Sequence, residues 1–97
     1  MAQTKNGNRA GWANDMVETL EGAVTLLPSD SGKVFLCIAA TVTLPSAADA
    51  GAGWHAKFVY KSGGATTVNS SGNIDAAGDF CSVHCDGSAF YNALNLT

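Results

Sequence analysis

Charge is scarce in this chain. Only 13% of its 97 residues are charged, and the formal net charge is −3. A chain so poor in Lys and Arg has no basic face for nucleic acid, so nucleic-acid partners are not expected. Long apolar runs are missing too. The longest, Val34 to Ala40, falls far short of the ~20 residues that a membrane span needs. The start, Met1 to Gly11, is polar with no apolar segment, so the expectation is a chain without a secretory signal, made and kept in the cytoplasm and not held in a membrane.

Cysteine is limited to three residues, Cys37, Cys81 and Cys85, an odd number that argues against a disulfide framework. If 80–85 is a strand, Cys81 and Cys85 stand ~13 Å apart along it at the usual rise per residue. A disulfide tolerates Cα separations only to about 7 Å. His84 would point away from both thiols, and a metal site there would need a bulge, or ligands from elsewhere, such as His55 or Cys37. The expectation is buried, reduced thiols acting as small apolar fillers, with no metal and no cofactor.

Catalytic constellations are equally thin. Ser, His and Asp all occur, but without nucleophile-elbow spacing, and no Gly-rich loop opens a helix to cradle phosphate. Asp30, Asp79 and Asp86 stand beside glycine or serine in turn positions, where an aspartate caps the turn with its own side chain. No catalytic residue is assigned, and an enzyme is not expected.

What is present is a succession of short β-rich segments. Ala23–Leu27, Lys33–Ile38, Thr41–Pro45, Trp54–Lys61, Ala65–Asn69, Phe80–Cys85 and Ala89–Leu96 are mostly bounded by Gly, Pro, Ser, Asn or Asp, as consecutive strands are. Trp54, Ala56, Phe58 and Tyr60 alternate against His55, Lys57 and Lys61, which places the aromatic side in a core and the other in water. An exposed Trp54, Phe58 and Tyr60 would instead form a sugar-stacking platform, but this alternation favours the core. Val34, Leu36 and Ile38 share one side of their strand and Phe35 and Cys37 the other, so that strand belongs mid-structure or between subunits. Asp86-Gly87 marks a hairpin, and Ile74 stands alone among turn residues as a core plug. The expected fold is all-β, a small antiparallel sandwich or barrel of about seven short strands.

Two regions follow: an N-terminal arm over 1–21 and a β domain over 22–97. Asn14 to Glu21 is the one segment suited to a short helix, with Met16, Val17 and Leu20 as its stripe, or else it is an extended lead-in to the first strand. The arm's first 14 residues hold Lys5 and Arg9 and no acid, giving them +2 against −5 for residues 15–97. The one large apolar side chain of residues 1–15 is Trp12. Trp is enriched at protein contacts, so the arm reads as docking on a partner through Trp12, or as folding Trp12 back onto its own core.

The order Val24–Leu26, Asp30–Lys33, Ala40–Pro45, the small-residue stretch Ser46–Gly53, the aromatic strand Trp54–Tyr60 and Val83–Tyr91 resembles a small β module of tailed bacteriophages. The likeness covers residues 22–94. That module is found in head decoration (cement) proteins and in tail-fibre proteins. A copy with its own Met1 and no fibre repeats attached suits decoration. The resemblance implies a structural virion protein on the capsid exterior, assembled in the host cytoplasm. It would be a homotrimer bound to the major capsid protein across subunit junctions. Lys5, Arg9 and Trp12 are the candidate capsid contacts. Phe35 and Tyr91, both opposite the assigned core faces, are the candidate trimer contacts. The alternative is a tail or fibre module that binds host-surface glycans. The cysteines and the positions of His55 and His84 depart from the usual module.

Overall fold

The computed structural model describes residues 16–69 and 71–96. These form seven strands: β1 (Val17–Thr25), β2 (Val34–Thr43), β3 (Ala52–Ser62), β4 (Thr66–Val68), β5 (Ser71–Ile74), β6 (Phe80–Asp86) and β7 (Phe90–Asn95). A 3-10 turn, Pro28–Asp30, lies between β1 and β2, and one helical turn, α1 (Ala47–Ala50), lies between β2 and β3. All seven strands belong to one sheet, ordered β5-β4-β2-β3-β6-β7, with β1 on the remaining side of β2. The all-β class and the strand number agree with expectation.

The polarity does not. β1, β3 and β4 all run parallel to β2, so the sheet is mixed where an antiparallel one was expected. Parallel neighbours need crossovers instead of hairpins, and 26–33 and 44–51 supply them. The 26–33 return is held by Asp30, whose Oδ2 accepts the Leu27 N–H at 2.8 Å. The 44–51 return is held by the α1 turn, capped where Ser46 Oγ accepts the Asp49 N–H at 3.2 Å. The two segments read as separate strands, Lys33–Ile38 and Thr41–Pro45, are one strand, β2. Of the two readings of Asn14–Glu21, the short helix is overturned across 17–21 and the extended lead-in holds there as strand; pairing of Val17 to Glu21 with Val34 to Ile38 supplies the hydrogen bonds that a sub-three-turn helix could not. Asn14 and Asp15 lie outside the described residues.

The centre of the fold is a stack of three bent rungs. β1 forms the first and β2 the second; β3 and β4 together form the third, since β2 pairs with β3 through Ile38 and with β4 from Thr41. Each rung bends at a residue of positive φ: Gly22 at 73°, Ala39 at 47° and Gly63 at 83°. The bends stack, for a Cβ built on Gly63 would sit 3.3 Å from Ile38 Cγ2 and 3.6 Å from Ala39 Cβ. At Ala39 the bend also inserts one extra residue into β2 against β1, and an inserted residue exchanges the two faces of a strand. Phe35 and Cys37 therefore point inward before it, and Ala40 and Val42 after it.

The hairpins β4–β5 and β6–β7 extend the stack, and β5 rolls back towards β6, so the sheet curls around its own core. Phe35 stacks on Phe58 at 5.3 Å between ring centroids. Trp54 meets Phe90 edge-on at 5.7 Å, and its indole N–H donates to the Pro28 carbonyl at 3.1 Å. Ile74 is buried, as its isolation among turn residues implies. Two buried polar side chains are satisfied: Thr66 Oγ1 accepts the Ala40 N–H, and Asp79 Oδ2 accepts those of Asp75 and Ala76. Each secures a bend that the backbone alone leaves short of a partner.

Candidate functional site

Curling leaves the sheet an inner face, which is the core, and an outer face. The register defines the outer face row by row. One row runs Val17, Val34, Lys57, Ser82, Ala93, and the next runs Thr19, Leu36, Val59, Phe80, Asn95. Ile38 continues the apolar strip on β2, with Glu21 opposite it on β1. Val34, Leu36, Ile38, Val59 and Phe80 are only half-buried, and Val17 is 48% exposed. Among the described residues no element packs across this face: substantial packing joins sheet neighbours, apart from α1 and β5 against β6. The Lys57 ammonium lies over the Phe80 ring, 4.5 Å from its centroid, a favourable cation–π arrangement. The strip is thus an apolar surface with one cation at its middle. Chemically it offers burial against another surface.

One end of the same face carries a different group. His55 on β3 stands opposite His84 on β6, and His84 opposite Tyr91 on β7. The two imidazoles are exposed and nearly parallel, with centroids 6.2 Å apart. Tyr91 is 59% exposed and donates its hydroxyl to Asp86 Oδ2 at 3.1 Å. That bond to a carboxylate holds the phenol above its ordinary pKa. Asp86 is held below the usual carboxylate range, first by the Ser88 and Ala89 amides, which both donate to Oδ1 at 2.8 Å. Asp30, Asp79 and Asp86 all cap turns, as their positions in the sequence imply.

Lys5, Arg9 and Trp12 lie outside the described residues. Tyr91 stands on the outer face as expected. Phe35 does not: it has 0% exposure and stacks on Phe58 within its own chain. It offers no surface to a neighbouring subunit, and the outer side of its strand belongs to Val34, Leu36 and Ile38. Alternation could not choose between two apolar sides of β2, and the choice falls to the side facing Phe58. Trp54 and Phe58 are buried and Tyr60 is half-buried, its hydroxyl donating to the Gly63 carbonyl at 2.8 Å, so these three form no platform facing solvent.

The three cysteines are free and buried. Burial pushes the Cys37 thiol up to about 11 and raises that of Cys81, which leaves both protonated and unreactive. Among the described residues no three His, Cys, Asp or Glu side chains converge on one point, and no helix is long and apolar enough to cross a membrane. The pairing of His55 with His84 was not visible in the sequence, because it depends on β3 lying beside β6.

No protein-family model matches the chain, no curated protein matches it, and no solved structure matches its fold.

Proposed function

We propose that this chain is a decoration protein of a tailed-phage head, a homotrimer that binds the major capsid protein across subunit junctions and strengthens the shell. It acts by burial and hydrogen bonding and catalyses no reaction. The observation that carries the reading is the outer sheet face, with Val34, Leu36, Ile38, Val59 and Phe80 half-buried in one strip. A continuous apolar patch on a small protein marks a surface that meets another protein. The residue order from Val24 to Tyr91 adds the resemblance to the phage module. Repetition around a trimer makes modest contacts sufficient, because each later contact forms at high effective concentration. Lys5, Arg9 and Trp12 are assigned to the capsid contact and Tyr91 to the subunit contact. The glycan-binding alternative loses the platform of Trp54, Phe58 and Tyr60, since Trp54 and Phe58 are buried.

The test is co-sedimentation of the purified protein with undecorated, expanded phage heads, together with its mass in solution. Saturable binding by a trimer, at a fixed ratio to the capsid protein, is the expected result. Trp12→Ala is expected to bind more weakly with an unchanged fold. A folded protein that stays in the supernatant at every concentration overturns the decoration role.

A further inference from the structure

The outer face holds a second feature that burial against a partner does not use. The His55 N–H donates to Ser31 Oγ at 3.2 Å, and the His55 carbonyl accepts from the Gly32 N–H at 2.7 Å. Both of its backbone groups therefore point towards the 31–32 return and away from β6. In an antiparallel pair this makes His55 and His84 a non-hydrogen-bonded pair, the type in which facing side chains come closest. The ring of His55 is also oriented. Its Nδ1 lies 3.0 Å from the Gly53 carbonyl, which only accepts, so in the neutral ring Nδ1 carries the proton and Nε2 the lone pair. A ring nitrogen bonded to a backbone carbonyl, with the other nitrogen free, is the usual arrangement of a metal-binding histidine.

We propose that His55 and His84 form a two-imidazole site for a divalent transition-metal ion of the zinc or nickel class. Imidazole suits these ions, and each ligates through a nitrogen at about 2.0–2.1 Å. The His84 ring, 6.2 Å from that of His55, reaches the same ion by turning about its own side-chain bonds, while His55 keeps its Nδ1 on the Gly53 carbonyl. Water completes the coordination, because no third His, Cys, Asp or Glu of the described residues converges there. The thiols are too deeply buried to compete. A bound ion ties β3 to β6 across the sheet and favours the folded state by mass action.

Zinc chloride and nickel chloride titrated separately into the full chain, followed by calorimetry and by histidine ring NMR signals, test this. The expected result is one ion per chain, with both histidines shifted and a higher Tm in the presence of metal. His55→Ala and His84→Ala are each expected to weaken binding at least tenfold, with circular dichroism unchanged because both positions are exposed. Absence of binding overturns the proposal. So does binding that survives either substitution, which would place the ion elsewhere.

Discussion

Phe35 and Asp86 mark the two extremes among single residues. Phe35 is fully enclosed and stacked on Phe58, so Phe35→Ala removes a core ring and leaves a cavity. The expected loss is about 3–5 kcal/mol, measured by urea denaturation, and it should be far larger than for any substitution on the outer face. Asp86 is an exposed carboxylate whose contribution is electrostatic. Its folded pKa is depressed by the Ser88 and Ala89 amides, so the stability it lends is present above the unfolded carboxylate value of about 3.9. That stability is lost as pH falls through the lower folded value. Thermal unfolding followed from pH 6 to pH 2 should show a falling Tm, and Asp86→Asn should flatten part of the fall. The thiols behave oppositely to surface groups. Raised by burial, Cys37 and Cys81 should resist iodoacetamide at pH 8 in the folded protein and react at once in denaturant. Labelling of the native chain would show that the core opens locally.

At the level of elements, the stacked bend at Gly22, Ala39 and Gly63 decides how the rungs fit. Gly63 has φ 83°, and an added Cβ there would crowd Ile38 Cγ2 at 3.3 Å. Gly63→Ala therefore combines left-handed strain of roughly 1–2 kcal/mol with that contact. Ala39→Gly relieves strain of the same kind at φ 47°, offset by the greater freedom of glycine in the unfolded chain. Denaturation should rank Ala39→Gly at or above the parent and Gly63→Ala below it. The same bend explains which parts of the fold the sequence made legible. Trp54, Ala56 and Phe58 alternate without interruption, and their inward side is the one that alternation predicts. Cys81, Val83, Ile74 and the Asp86-Gly87 hairpin were legible for the same reason: each follows from local pattern or turn chemistry. In β2 the pattern fails, because the extra residue at Ala39 reverses the inward side and an alanine gives no sign of a positive φ. Parallel pairing and the meeting of His55 with His84 depend on contacts between distant segments. Residue order does not encode those locally.

For the whole molecule the question is how the outer face is used. Six of its larger apolar side chains, Val17, Val34, Leu36, Ile38, Val59 and Phe80, cover strands β1, β2, β3 and β6. With neighbouring strands roughly 4.8 Å apart, the strip is wide enough for another sheet or a capsid surface to lie across it. Leu36 occupies its middle, between Thr19 and Val59. A glutamate there would stand diagonally from Lys57, whose opposite charge moderates the cost of the substitution within the folded chain. In an assembled interface the same carboxylate would be buried, and burying a charge without a dedicated partner is strongly unfavourable. On the proposed decoration role, Leu36→Glu should therefore leave the circular dichroism spectrum and Tm close to those of the parent while abolishing self-association and head binding. Val59→Thr, a milder change on the same row, should weaken both without abolishing either. If Leu36→Glu folds, remains trimeric and still saturates phage heads, the outer face is not the contact surface. The assembly role would then have to rest on the arm residues Lys5, Arg9 and Trp12 alone.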